Sequence, residues 1–257
     1  MARVLGALAA IVPTSVVWRQ GLLHPGGPHR RLADSLDPIS IGEDECAVFR
    51  RLIEHFRPAH CFIIGNAFGL SSAYIAATMQ AHGGQSVVTL DSQSEGEGEH
   101  CARIARELAE ALKLGILTNK KGWSPKDIGA SVEQPSYDLI FIDGAHRHPQ
   151  VTHDLDGVLP IANDQSLLVW HDYWIRGVPE SVQRAQRLGF RTLWLPTSCE
   201  MVLGVRDAER FELLRAAFPE GREHFSHLNY GLGYLLHLKT VAGFHVERAL
   251  KSFGASL

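Results

Sequence analysis

Cysteine is scarce in this chain of 257 residues: Cys46, Cys61, Cys101 and Cys199 are all it has, and no two of them form a C-x-x-C pair. That density excludes a disulfide-scaffolded secreted domain, and nothing has the ligand spacing of a zinc module. Cys61 falls inside an apolar run and reads as a small core residue. A reducing, cytoplasmic setting fits these thiols best. An excess of either charge is also missing, since 25 basic and 28 acidic residues leave a net charge of −3. No general attraction to nucleic acid or to an anionic membrane follows, and the basic residues do not cluster with aromatics. The apolar run Val4–Val12 after Arg3 is too short to span a bilayer. Its slight charge and unclear cleavage site argue against a signal peptide, so it reads as a helix covering apolar core surface. Repeats, low-complexity tracts, a P-loop, a G-x-G-x-x-G motif and a Ser-His-Asp set are absent as well.

What is present is an ordinary globular composition, 45% hydrophobic and 21% charged, in a chain long enough for a real core. Residues 21–40 are rich in Gly, Pro and His and read as an irregular lead-in. Ser40 with Glu43 is a candidate helix start, and apolar Ala47, Phe49, Leu52, Ile53 and Phe56 continue at helical spacing up to Pro58. Strands are expected at Cys61–Ile64, Ser86–Leu90, Ile116–Thr118, Asp138–Ile142 and Ser166–Trp170. Helices are expected at Leu70–Ala81, Cys101–Leu114, Lys126–Val132, Pro149–Val158 and Glu180–Leu188. Ser92–Glu99 and Lys120–Pro125 read as loops. Phe190–Leu195 and Met201–Val205 are two strands joined only by Pro196–Glu200, a link too short for a parallel crossover, so they pair antiparallel.

Five β-α units followed by a hairpin define an α/β fold with helices on both faces of a mostly parallel sheet. The expected division is a helix and lead-in over 1–40, the α/β domain over 41–206, and an amphipathic helical extension over 207–257. Three roles are open to that extension: a lid, a contact between copies of the chain, or packing for the N-terminal helix.

In such a sheet, ligands bind outside the carboxyl ends of the strands. Gly65-Asn66-Ala67-Phe68-Gly69 lies between a strand and a helix, where glycines permit close backbone approach and free amides open the helix. Asp91 ends the next strand and fits the acid that accepts hydrogen bonds from a ribose, with a helix cap or a solvated loop acid as the plain alternative. Trp123 could flank an adenine or simply pack on the sheet edge. Asp143 and the His171-Asp172 pair end two successive strands, and converge if those strands are neighbours. Acids of this kind bind Mg²⁺ or Mn²⁺, and imidazole tilts the preference toward softer metals. The structural alternative has Asp143 capping helix 149–158 and His171 satisfied in the core. His146 is the best general-base candidate, because imidazole titrates near neutrality. His148 and His153 read as solvated or capping residues.

Four segments, I-I-G-N-A-F-G-L-S, T-L-D at Asp91, K-G-W-S at Trp123, and F-I-D-G-A-H…H-D-L with V-W-H-D-Y-W, resemble the class I S-adenosylmethionine-dependent methyltransferases. The likeness is greatest to small-molecule O-methyltransferases of the catechol and macrolide-sugar (macrocin-like) kinds, and it spans about Ile41–Val205. The resemblance implies a Rossmann-like, doubly wound, seven-stranded sheet of order 3-2-1-4-5-7-6 with the last strand antiparallel. It implies that Gly65–Gly69 and Ser71 hold the methionine part of S-adenosylmethionine, that Asp91 binds the ribose, and that Trp123 neighbours the adenine. Asp143, counted among the cofactor residues too, would join His171 and Asp172 at the position of Mg²⁺ or another divalent cation.

Two positions depart from the family. Ile63 replaces an acid that contacts the cofactor, and His171 stands where macrolide-sugar enzymes have a second carboxylate, so the metal is different, weak or absent. The expected function is methyl transfer to a hydroxyl of a small-molecule acceptor, aided by Asp143 and His146. A non-catalytic scaffold that retains the fold is the alternative. A nicotinamide-dependent oxidoreductase is disfavoured by the missing glycine motif and the terminal hairpin.

Overall fold

The computed structural model of the protein describes residues 2–11, 41–93, 98–146, 148–175, 177–197 and 199–223. The chain divides into a compact unit, residues 1–223, and a second, residues 224–257, that lies outside the described residues. Most of the expected 207–257 extension and the 21–40 lead-in lie outside them too.

Strands β1 (His60–Ile64), β2 (Ser86–Asp91), β3 (Leu117–Lys121), β4 (Leu139–Ile142), β5 (Leu167–Trp170), β6 (Arg191–Leu195) and β7 (Met201–Val205) form one sheet. Its order is β3-β2-β1-β4-β5-β7-β6, as the resemblance implies. The first five strands are mutually parallel, and β7 runs antiparallel to both β5 and β6. The short apolar runs form these strands because both faces are covered: every residue of β4, β5 and β7 is buried.

Alternation divides the sheet between two packing layers. Cys61, Ile63, Phe141, Val169 and Leu203 turn to the face covered by α1 (Ala2–Ile11), α2 (Glu43–Phe56), α3 (Leu70–Ala81), α4 (Gly98–Leu112) and α8 (Ala208–Ala217). The intervening residues turn to the face of α5 (Ile128–Ser131), α6 (Gln150–Val158) and α7 (Gly177–Arg187). The N-terminal segment is a helix, as expected: Val4 and Leu8 of α1 are buried in the core beside α3 and α4. Phe49 of α2 meets Phe141 edge-on, with ring centroids 4.8 Å apart. Truncating a buried aromatic of this kind costs about 3–5 kcal/mol.

Several element ends differ from the sequence expectation. Ser40 lies outside the described residues, and α2 begins two residues beyond Ile41 with Gly42 as its flanking residue. There Glu45 accepts the Gly42 N–H at 2.9 Å, which satisfies one amide of the helix start. Lys120 and Lys121 belong to β3 rather than to a loop, because β3 pairs with β2 as far as Asp91. This edge strand is only half-buried, so its composition is too polar to mark its length. α5 is shorter than the expected Lys126–Val132 helix. No helix among the described residues is long and apolar enough to cross a membrane.

Candidate active site

β1 and β4 lie side by side at the point where the strand order reverses, so their carboxyl ends open one crevice. The Asp143 N–H donates to Ile64 O at 2.9 Å, which carries the pairing one residue past the strands. Gly65 follows in the left-handed region with φ of 88°, and a Cβ there would stand 2.0 Å from the Asp143 carbonyl oxygen. Only glycine fits such a position. Gly69 has φ of 78°, and its α-carbon side closes on Ala105 of α4. The two glycines therefore let the loop bend between Asp143 and α4.

Asp91 anchors the same loop. Its Oδ2 accepts the N–H groups of Asn66 at 2.7 Å and Ala67 at 3.1 Å, while Oδ1 accepts from Gln93 at 2.6 Å. The alternative reading of Asp91 as a helix cap does not hold, since these amides belong to loops. The Asn66 side chain turns inward: its amide donates to Asn119 Oδ1, and its carbonyl accepts from Ser72 at 2.5 Å. Phe68 and Ser71 are buried, and Ala67 is exposed. Trp123 stands at the carboxyl end of β3, 56% exposed, next to Gly122, whose N–H donates to the Asp91 carbonyl. Ile63 is fully buried on the α1–α4 face, in the cluster that contains Phe141 and Val169.

On the other side of the crevice, β4 and β5 are neighbours and bring Asp143, His146, His171 and Asp172 together. His171 Nδ1 lies 3.0 Å from Asp143 Oδ1 and 3.3 Å from Asp172 Oδ2. His146 bridges the same acids, with Nε2 3.4 Å from Asp143 and Nδ1 3.4 Å from Asp172. Asp172 adopts φ of 56°, a strained conformation for a non-glycine residue, and accepts the Trp174 indole N–H at 3.1 Å. The helix that follows Asp143 has Pro149 as its flanking residue and no side-chain cap, so Asp143 is not a cap. His148 and His153 are exposed, as expected of solvated residues.

One member of the site has no counterpart among the expected residues. Glu45 of α2 is fully buried, with Oε1 3.1 Å from His171 Nε2. It also accepts the N–H of Cys199 at 3.0 Å and the hydroxyl of Thr197 at 3.3 Å, which ties α2 to the β6–β7 connection. A sequence signal existed: Glu45 lies four residues before Phe49, on the apolar face of its helix.

The charges follow from this geometry. Burial pushes the Asp143 carboxyl up, but the His171 and His146 imidazoles together outweigh it and hold it well below the usual carboxylate range. Asp172 is lowered in the same way, burial being overcome first by His171. Burial disfavours charge on His171, yet Glu45, Asp172 and Asp143 hold its proton well above the ordinary imidazole range. For His146 too, burial is outweighed by Asp143 and Asp172, and the ring binds its proton more tightly than usual. The Cys199 thiol beside Glu45 is pushed far up by burial and stays protonated.

These residues fit a divalent cation. His171 is 4% exposed, and neither of its ring nitrogens meets the alignment of a hydrogen bond, although acids stand within ion-pair distance of both. Ligands held about 2.0–2.2 Å from an ion stand ~3.0–3.5 Å from one another, and His171 Nδ1 has this spacing to Asp143 and to Asp172. Asp143, His171 and Asp172 are the residues that could hold it. In the second cluster, Glu45, His171 and Cys199, the Glu45 oxygens are already taken up by the Gly42 and Cys199 N–H groups and the Thr197 hydroxyl.

Residues 62–173, from the middle of β1 to just past β5, match the model of a family described as a methyltransferase domain. The fold is the Rossmann-like fold of class I S-adenosylmethionine-dependent methyltransferases. Among solved structures, the chain is similar to an O-methyltransferase from Bacillus cereus in complex with S-adenosylhomocysteine, at 16% identity and TM-score 0.54, covering 80% of this chain and 97% of that one. It is similar to the S-adenosylhomocysteine-bound methyltransferase PaMTH1 of Podospora anserina, at 12% identity and TM-score 0.55, with 79% and 94% covered. A third is the O-methyltransferase TomG of Streptomyces achromogenes in complex with S-adenosylmethionine, at 14% identity and TM-score 0.53, with 65% and 82% covered. No curated protein matches the chain significantly.

Proposed function

We propose that the protein is an S-adenosylmethionine-dependent methyltransferase acting on a hydroxyl of a small-molecule acceptor in a cytoplasmic setting. The observation that carries this reading is the meeting of two unlike walls in one crevice. A glycine-bent loop anchored by Asp91 faces an acid–imidazole cluster at the point where the strand order reverses. The neighbours solved with S-adenosylmethionine or its demethylated product share the fold and support the same cofactor here.

In this reading Gly65–Gly69 and Ser71 receive the methionine part, Asp91 the ribose hydroxyls, and Trp123 flanks the adenine. The Asp91 oxygens retain acceptor capacity beyond their backbone partners, since a carboxylate has about four lone-pair sites. The methyl group passes in line from the sulfonium sulfur to the acceptor oxygen: the S–C bond breaks, an O–C bond forms, and the hydroxyl loses its proton. Holding both reactants at near-attack distance is the main contribution of the protein. Asp143, His171 and Asp172 would hold a divalent cation, which lowers the pKa of a bound hydroxyl and orients it.

In this reading His146 takes the proton at a ring nitrogen. Without a cation its own proton is held by Asp143 and Asp172, so the ring is a donor. A cation held by those acids would weaken their hold on that proton and leave a ring nitrogen of His146 free to accept.

A fold-retaining partner without activity is the second reading, and Ile63 favours it, because its place in the core leaves no acid where the related enzymes have one. Thermal unfolding with S-adenosylmethionine and with S-adenosylhomocysteine separates the two. A ligand at ~100 times its Kd adds about 2.7 kcal/mol and a clear rise in Tm. Melting that neither compound moves would leave only the second reading.

A further inference from the structure

We propose that Glu45 is a positioning residue that fixes the proton of His171 on Nε2, so that Nδ1 faces Asp143 and Asp172 as a nitrogen ligand. The cation site is thereby one for a borderline transition ion such as Zn²⁺ or Co²⁺ rather than for Mg²⁺. This inference rests on the reading of the crevice given above, but concerns the class of ion and the residue behind it.

Three observations meet here. First, His171 is wedged between two sets of acids, with Glu45 behind Nε2 at 3.1 Å and Asp143 and Asp172 before Nδ1 at 3.0 and 3.3 Å. An imidazole has two nitrogens and can offer a lone pair from only one of them while the other keeps its proton. The acid behind the ring attracts the proton, and the cation before it requires the lone pair. A histidine ligand whose second nitrogen faces a carboxylate is the usual way in which a protein fixes a tautomer and raises ligand basicity.

Second, Glu45 is itself held. The N–H groups of Gly42 and Cys199 and the Thr197 hydroxyl fix its two oxygens, and the side chain is fully buried. A buried acid on an apolar helix face is costly unless it is paired. Its remaining neighbour is the imidazole of His171. Helix α2 thus reaches the site through one side chain, and the position of that chain is set from both ends.

Third, the donor set is mixed. Carboxylate and water oxygens suit Mg²⁺, which demands an octahedral shell of oxygen, whereas imidazole suits Zn²⁺, Co²⁺ and their neighbours. An imidazole locked in the middle of the set discriminates between these classes.

The test uses the full chain carrying ¹⁵N-labelled histidine. Long-range proton–nitrogen spectra are recorded as Zn²⁺ is added, and Zn²⁺ and Mg²⁺ affinities are measured calorimetrically. The expected result is a shift of His171 Nδ1, with Nε2 keeping its proton, and Zn²⁺ binding at least ~100-fold tighter than Mg²⁺. Glu45→Gln keeps the size and one acceptor oxygen of the side chain, and should weaken Zn²⁺ about 10–100-fold with an unchanged fold by circular dichroism. His171→Asp should abolish the nitrogen signal and narrow the preference for Zn²⁺ over Mg²⁺ by ~10-fold or more.

Zinc binding through Nε2, no shift at His171, or unaltered affinity in Glu45→Gln would overturn the proposal. A role of Glu45 in stability alone would lower Tm and leave the nitrogen assignment as it is. S-adenosylmethionine binding, measured separately on metal-free protein, reports on methyl transfer. Its loss would leave the histidine spectra standing, and their failure would leave cofactor binding standing.

Discussion

On the β1–β2 side of the crevice the groups are mostly backbone: the amides of Asn66 and Ala67, bent by Gly65 and Gly69 and gathered by one carboxylate, Asp91. On the β4–β5 side they are side chains: Asp143, His146, His171 and Asp172, with Glu45 behind. The first wall depends on the absence of a side chain at particular positions, and so tolerates no addition. The second depends on charge balance among acids and imidazoles, and so responds to single changes of charge. Both are rooted in the same sheet, and they touch where Gly65 meets the Asp143 carbonyl.

The harshest way to break this contrast is Gly65→Ala. The added Cβ meets backbone at 2.0 Å and the φ is left-handed, so both walls should be pushed apart at once. Strain and overpacking together should cost about 2–5 kcal/mol in urea unfolding and remove cofactor binding measured by calorimetry. An alanine protein with an unchanged denaturation midpoint would mean that the two loops do not meet as described.

Asp143→Asn attacks the second wall alone. Turnover should fall about 100-fold or more in a radiolabelled methyl-transfer assay, with S-adenosylmethionine affinity little changed. Full turnover in that variant would remove Asp143 from the chemistry.

Asp91→Asn attacks the first wall alone and should act in the opposite sense. It replaces a charged acceptor of backbone amides, at a cost of about 1.5–3 kcal/mol, and should weaken cofactor binding ~10-fold or more while the response to cations persists. Cation and cofactor titrations of the two aspartate variants therefore form a crossed pair, and a parallel loss in both would merge the two walls into one unit.

The smallest effect is expected from Trp123→Ala. An exposed side chain contributes within about 0.5 kcal/mol to stability, so Tm should hold while cofactor affinity falls several-fold. Equal affinity in the alanine protein would return Trp123 to the sheet edge.

Much of this architecture was legible before the structure. Leu139–Ile142 and Leu167–Trp170 are apolar runs of strand length, and such runs are buried wherever they occur in a parallel sheet. The five-residue link before Met201 left antiparallel pairing as the only option. The end of β3 is hidden in the sequence because an edge strand carries lysines that a central strand does not. The start of α2 is hidden too, because Ser40 and Glu43 make a cap signal by spacing alone, whereas Glu45 supplies the acceptor for Gly42.

By itself, then, the sequence determined the elements, their alternation and the glycine-bearing loop, because local periodicity and backbone sterics act over a few residues. It also named Asp143, His146, His171 and Asp172, since strand ends in such a sheet face the crevice. Only the tertiary structure decided which of these meet, what lies behind them and which acids face which imidazoles. Glu45 reaches His171 through a helix packed on the sheet, and no spacing rule joins residues so far apart in the chain. Asp91 had a readable position, but its hold on the loop amides depends on β1 and β2 being hydrogen-bonded neighbours. Ile63 shows the limit from the other side: its type was plain in the sequence, and its place in the core came from strand pairing and the helices over it. Proximity across a sheet is set by strand order and packing, which no short stretch of sequence contains.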